Sequence, residues 1–154
     1  QRIALVVETS GTTGRPKRVA LSADAVLASA AASSGALGDP GQWMLALPVH
    51  YIAGSNVLAR SLASGVDPVT IAPGRMGASD VLAAIARFTE KHRYTALVPA
   101  QLSRLLDEAD ENAELAAALA SFDRILVGGQ ATPAALIDRA RAHGWTITRT
   151  YGSS

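Results

Sequence analysis

Short apolar runs alternate with segments of helical periodicity along almost the whole chain, and that alternation leaves few folds open. Ile3-Ala4-Leu5-Val6-Val7, Trp43 to Pro48, Asp67 to Ala72, Tyr94 to Val98, Arg124 to Val127 and Thr146 to Thr150 each have the length and composition of a strand. Strands separated by helices are βαβ units, so the pattern predicts an α/β fold with a mostly parallel sheet and flanking helices. Ser22 is placed to cap an alanine-rich helix running to about Ser34, and a second helix spans about Gly54 to Ala63. Ser79 is expected to cap the next, whose apolar face is Val81, Leu82, Ile85 and Phe88. Pro99 suits the first turn of a helix carrying Leu102, Leu105 and Leu106. The acidic stretch Asp107 to Glu114 reads as a solvated joint before a helix from Leu115 to Ala120. Thr132-Pro133 opens the final helix and Gly144 closes it. A chain of 154 residues, 49% of them apolar and 18% charged, suffices for one packed core, so a single globular unit is expected.

The formal net charge of +1 and the lack of a long Lys/Arg run give no electrostatic footprint for nucleic acid or an acidic membrane surface. There is no cysteine, hence no disulfide and no thiolate nucleophile, which fits a reducing compartment. No segment reaches the roughly 18 apolar residues that span a bilayer, and the N-terminus lacks a basic-then-apolar leader profile, so a cytoplasmic location is expected. A homo-oligomer is compatible with the sequence and not dictated by it.

The first apolar run leads into Thr9-Ser10-Gly11-Thr12-Thr13-Gly14-Arg15-Pro16-Lys17, and Val19 to Leu21 follow as a second short strand. Glycines let backbone N–H groups approach phosphate oxygens closely, and the hydroxyls of Thr9, Ser10, Thr12 and Thr13 add neutral donors. Lys17 contributes a compact positive charge placed by the rigid Arg15-Pro16 step. These residues describe a loop that holds polyphosphate, with ATP as the expected ligand. It is not a Walker loop, because Pro16 separates the last glycine from the lysine and a strand follows in place of a helix. The apolar run ahead of it is of the kind buried on both faces, so the loop is expected to leave a rigid sheet. Serine-hydrolase chemistry finds no Gly-x-Ser-x-Gly elbow here, and three scattered histidines without cysteine make no zinc cluster.

The nine-residue loop resembles the phosphate-binding signature of the adenylate-forming superfamily, which includes acyl- and aryl-CoA ligases, luciferases and peptide-synthetase adenylation domains. Three further stretches follow in that superfamily's order. Pro48-Val49-His50-Tyr51-Ile52-Ala53-Gly54 resembles its Pro-x-aromatic-His-x-x-Gly stretch, which walls the acyl pocket. If Pro48 and Gly54 fix the register, His50 takes the aromatic position and Tyr51 the histidine position, so either side chain could face the substrate. Gly128-Gly129-Gln130 resembles the stretch whose backbone lines the adenine, although Gly-Gly taken alone favours a turn after a strand. Tyr151-Gly152-Ser153-Ser154 resembles the start of Tyr-Gly-x-Thr/Ser-Glu, in which the ring packs on adenine and the hydroxyl residue, here Ser154, contacts the α-phosphate.

Within the superfamily the likeness is closest to o-succinylbenzoate–CoA ligases of menaquinone biosynthesis, through Tyr51 to Gly54 with Val57 to Ser61, Tyr94 to Leu102, and Arg149 to Gly152. Such a substrate carries two carboxylates. One is activated, and the other needs a donor, for which Arg60 is the candidate. Read from the sequence alone, Arg60 could instead snorkel at a sheet edge. Gln101 could hydrogen-bond the substrate or cap a strand end, and His50 could be a hydrogen-bonded histidine at a strand end. His92 and His143 lie near predicted helix ends and read as surface residues in the helix dipole.

The resemblance implies two half-reactions, acyl-adenylate formation with loss of pyrophosphate and then thioester formation with coenzyme A and loss of AMP. Lys17 and the loop hydroxyls would hold the β- and γ-phosphates. Magnesium is implied, with no metal ligand in this sequence, since the usual glutamate would follow Ser154. The superfamily's ribose-binding aspartate, hinge and lid lysine would also follow Ser154. The 154 residues are thus expected to form part of a large N-terminal domain without its C-terminal lid, inactive in isolation. The alternatives are a ligase for another acyl or aryl acid and a non-catalytic nucleotide-binding module.

Overall fold

The computed structural model describes residues 3–9, 17–22, 24–25, 28, 39–48, 52–72, 76–128 and 131–150. Strands β1 (Ile3–Thr9) and β2 (Lys17–Ser22) pair antiparallel. They are followed by β3 (Gln42–Leu45), α1 (Ile52–Ser64), β4 (Val69–Thr70), α2 (Ala78–Ile85), β5 (Arg93–Leu97), α3 (Pro99–Ala109), α4 (Ala113–Ala120), β6 (Arg124–Val127), α5 (Ala134–Ala142) and β7 (Ile147–Arg149). Strands β3 to β7 form one parallel sheet in the order β4-β3-β5-β6-β7. The α/β expectation holds, with one correction. The apolar run of β1 does not join the parallel sheet among the described residues. It pairs with β2 in a two-stranded sheet of its own, because apolar composition signals burial without naming the partner strand.

Strand order dictates where the helices lie. The chain leaves β3 for β4 on one side, then crosses back past β3 to β5 and continues in one direction through β6 and β7. Right-handed crossovers therefore put α1 on one face and α2 to α5 on the other, and the two apolar clusters follow that division. Trp43, Leu47, Tyr94, Ala96 and Leu126 pack with Val57 of α1, whereas Met44, Leu97, Ile125, Val127 and Ile147 pack with the other helices. Alternation along each strand sends neighbouring side chains to opposite faces. Within the second cluster Leu102, Leu105 and Leu106 are completely buried, each contributing roughly 1.5–3 kcal/mol relative to exposure.

Buried polar groups tie the strands together. The Thr95 hydroxyl donates to the Met44 carbonyl across β5 and β3 at 2.9 Å. Gln42 accepts from the Thr89 N–H at 2.8 Å and donates to the Asp67 carbonyl at 3.0 Å, joining the approaches to β5 and β4. Such pairing matters because a buried amide left unpaired costs about 1–3 kcal/mol.

Several boundaries differ from the sequence expectation for identifiable reasons. Ser22 does accept from the Ala25 N–H at 3.1 Å, and residues 24, 25 and 28 are helical; the rest of that expected helix falls outside the described residues. Ser79 is not a cap. Gly77 holds that position, its N–H bonded to Asp80 at 2.9 Å, while the Ala78 N–H is bonded to Glu108 of α3 at 2.7 Å. The acidic stretch forms a solvated joint only over Asp110-Glu111-Asn112, since α3 continues to a buried Ala109 and Asn112 caps α4 through the Leu115 N–H at 3.1 Å. Phe88 lies beyond the end of α2 and meets Phe122 edge-on, with ring centroids 5.7 Å apart. The run expected as a strand from Asp67 to Ala72 keeps only Val69–Thr70, at the sheet edge. Gly144 closes α5 with φ +81, a conformation that L side chains rarely adopt.

Candidate active site

In an open parallel sheet, ligands bind beyond the carboxyl ends of the strands where successive connections leave on opposite faces. Here that point lies between β3, which feeds α1, and β5, which feeds α3. Gln101, on the first turn of α3, spans it. Its Oε1 accepts from the Val98 N–H at 3.1 Å and its Nε2 donates to the Ala46 carbonyl at 2.9 Å, so one side chain ties together the exits of both strands.

Gly54, near the start of α1, faces the same edge. A Cβ there would overlap the Pro48 carbonyl, so glycine is what lets α1 turn back tightly against the end of β3. This accounts physically for the fixed Pro48-to-Gly54 spacing. His50 and Tyr51 fall outside the described residues, and Pro48 and Ile52 bracket them at this edge. Further along the sheet, the Gly128 N–H donates to the Leu97 carbonyl at 3.2 Å, and a Cβ on Gly128 would overlap the Thr150 side chain. The Thr150 N–H donates to the Val127 carbonyl at 2.9 Å. The chain thus leaves both β6 and β7 at this edge, heading into Gly129-Gln130 and Tyr151 to Ser154, which lie outside the described residues.

The hairpin brackets the segment that the sequence marks as a candidate phosphate loop. Thr9 is paired with Lys17 across β1 and β2, so the loop between them must begin and end at neighbouring backbone positions. Ser10 to Pro16, including Ser10, Gly11, Thr12, Thr13 and Gly14, lie outside the described residues. β1 also lies against α1, which brings the hairpin to the α1 face of the parallel sheet.

Arg60 occupies that same face. Its guanidinium carbon sits 4.9 Å from the Trp43 ring centroid, and its Nε is buried without a hydrogen-bond partner among the described residues. Burial lowers its pKa from the ordinary arginine value, with desolvation as the cause. A half-buried cation without a carboxylate partner among the described residues is costly unless a ligand completes it. Trp43 was not legible as part of this arrangement, although the alternation of β3 assigns its side to the face that α1 covers.

The remaining histidines stand elsewhere. His92 precedes β5, at the amino end of the sheet, and not at a helix end. Its Nδ1 is 2.5 Å from Asp123 Oδ2 and its Nε2 3.5 Å from Asp39 Oδ2. His143 does cap the end of α5. It bonds Asp110 at 2.8 Å and stacks on Trp145, and the His143 and Arg139 hydrogen bonds lower the Asp110 pKa. Among the described residues, no group of three or more His, Cys, Asp or Glu side chains is arranged to hold a metal ion. None of the described helices is long and apolar enough to cross a membrane.

The parallel sheet carries its helices on both faces, and the chain belongs to the AMP-binding enzyme family, whose match covers residues 1–154. Among relatives, it is 44% identical over 153 residues to the probable 2-succinylbenzoate–CoA ligase of Mycobacterium tuberculosis, covering 99% of this chain and 39% of that protein. It is 33% identical to the 2-succinylbenzoate–CoA ligase of Bacillus subtilis, covering 97% of this chain and 29% of that one. Among solved structures it resembles the o-succinylbenzoate coenzyme A synthetase of Bacillus subtilis in complex with AMP, with a TM-score of 0.78 and 30% identity over 99% of this chain and 37% of that one. The same enzyme with ATP and a magnesium ion gives a TM-score of 0.72 and 32% identity, covering 95% of this chain and 29% of that one. The chain therefore spans about two fifths or less of the length of these relatives.

Proposed function

We propose that the full-length protein is an ATP-dependent carboxylate–CoA ligase acting on o-succinylbenzoate, and that residues 1–154 are part of its large N-terminal domain. The observation that carries the substrate assignment is Arg60, a desolvated guanidinium with no carboxylate partner among the described residues, on the helix that follows the pocket motif. Arg60 is the eighth residue after Ile52 at the start of α1, about 12 Å along the helix at the helical rise. A diacid entering from the carboxyl edge would offer its second carboxylate toward Arg60, whose side chain leans back toward the start of α1. A monocarboxylic acid would leave the cation unmet.

In the first half-reaction, a substrate carboxylate oxygen bonds to the α-phosphorus of ATP as the bond to the β-phosphate oxygen breaks, releasing pyrophosphate. The coenzyme A sulfur then bonds to the acyl carbon, and the acyl–phosphate bond breaks to release AMP. Lys17 and the hydroxyls of Thr9, Ser10, Thr12 and Thr13 hold the β- and γ-phosphates and balance the charge that grows on the departing pyrophosphate. Gly128, Gly129 and Gln130 line the adenine with Tyr151 and Gly152, and Ser154 meets the α-phosphate. His50, Tyr51 and Gly54 wall the acyl pocket. Gln101 holds the two strand exits in register beside it, and Arg60 pairs with the carboxylate that does not react. Magnesium, when bound, neutralises polyphosphate charge, and the phosphate-loop donors are of the type that accompanies it. A cytoplasmic location is part of this proposal.

ATP–pyrophosphate exchange by the full-length protein tests this reading, with o-succinylbenzoate offered beside benzoate, malonate and medium-chain fatty acids. Exchange is expected with o-succinylbenzoate above all others. Preference for a monocarboxylic acid would remove the diacid assignment, and exchange with no acid would remove the ligase.

A further inference from the structure

We infer that Trp43 is a positioning residue for substrate selection, holding the Arg60 guanidinium over its ring so that the cation stands desolvated and aimed, with no carboxylate partner among the described residues, until an acid arrives. The inference rests on the reading of Arg60 given above and extends it to a residue that touches no substrate. An arginine on an exposed helix face samples many rotamers. Here the guanidinium carbon lies 4.9 Å from the Trp43 centroid, well inside the roughly 6 Å range in which the ring quadrupole attracts a cation. Trp43 itself is fixed, being 4% exposed and tilted against Tyr94 at a centroid separation of 5.2 Å. Tyr94 is anchored in turn by its hydroxyl, which donates to the Asp39 carbonyl at 2.6 Å.

An aromatic face suits this task where a carboxylate would not. An Asp or Glu beside Arg60 would orient it equally well but would compete with the incoming acid for the same donors. The ring attracts the cation without occupying its in-plane N–H groups, which stay available for a bidentate carboxylate contact. The unpartnered Nε is consistent with such a reserved donor set. A tryptophan on a strand facing an arginine on the following helix, 17 residues later, thereby becomes a determinant of acid affinity.

Trp43→Leu and Trp43→Phe in the full-length protein test this, each compared with Arg60→Lys. Trp43→Leu is expected to raise KM for o-succinylbenzoate about tenfold, with kcat and KM for ATP within about twofold. Trp43→Phe keeps a weaker ring face and is expected to raise the same KM about threefold. Should the leucine variant fail to fold, the phenylalanine variant carries the test alone. Unchanged acid KM in Trp43→Phe, or KM values for acid and ATP rising together, would overturn the inference. If Arg60→Lys raises acid KM while the Trp43 variants do not, the positioning role fails and the Arg60 reading survives. If Arg60→Lys also leaves acid KM unchanged, both fall.

Discussion

Replacing Lys17 with alanine in the full-length protein is expected to slow acid-dependent pyrophosphate exchange about a hundredfold or more, with thermal stability little altered. The strand pairing is the reason the effect should be local. Lys17 is the first residue of β2 and sits opposite Thr9, so its backbone belongs to a ladder that alanine can equally well form. On the proposed function, what alanine removes is the charge beside which pyrophosphate would leave carrying the electrons of the broken bond. Loss of one preorganised donor at such a point typically costs a factor of about 10²–10³ in rate. Arginine should restore only part of the activity, because a planar fork does not replace a compact ammonium. The measurement is exchange rate against melting temperature for wild type, Lys17→Ala and Lys17→Arg. Loss of activity that merely follows loss of folding would contradict the assignment.

Gly54→Ala is expected to destabilise the protein by about 1–3 kcal/mol, the range typical of overpacking a tight site. The sign is the informative part. Within an ordinary helix the same change stabilises by up to about 1 kcal/mol, because alanine has the higher helix propensity. At Gly54 the added methyl would overlap the backbone carbonyl of Pro48, and backbone cannot rotate away as a flexible side chain can. Relief requires α1 to move off the end of β3. That shift would displace both His50-Tyr51, which Pro48 and Gly54 bracket, and the helix bearing Arg60. A raised KM for the acid should therefore accompany the lost stability in urea unfolding. A stabilised Gly54→Ala variant would show that the close approach of α1 and β3 is not as described.

Which parts of this molecule were legible in advance follows from what each signal encodes. Arg124 to Val127 coincides with β6 because an apolar run buried on both faces has sharp polar borders. The parallel architecture was legible for the same reason, together with the helical periodicity between runs. The partner of β1 was not, since hydrophobicity reports that a strand is covered and not which strand lies beside it. Ser79 was a reasonable cap by residue type, yet Asp80 and the distant Glu108 supply the acceptors at Gly77 and Ala78, and a contact across 30 residues leaves no local trace. His92 looked like a helix-end residue until the fold brought Asp39 and Asp123 to it.

The candidate site divides in the same way. Two of its glycines have a physical reason in the fold, because Gly54 lies close against the Pro48 carbonyl and Gly128 lies close against the Thr150 side chain. Tertiary partners within the site were not legible in the sequence. Gln101 was open between two roles, and its amide spends both ends on the exits of β3 and β5, which makes it a tie at the switch point. Arg60 could be read as a candidate donor, but neither the lack of a partner for its Nε among the described residues nor the ring beneath it follows from local pattern.

The most direct test of the whole account is a single turnover assay with the full-length protein, ATP, magnesium, o-succinylbenzoate and coenzyme A, in which nucleotide products and thioester are quantified together. The account predicts AMP, pyrophosphate and o-succinylbenzoyl-CoA in equal amounts, with AMP formation dependent on the acid. ADP and phosphate as products, or no thioester under conditions where ATP binds, would contradict it.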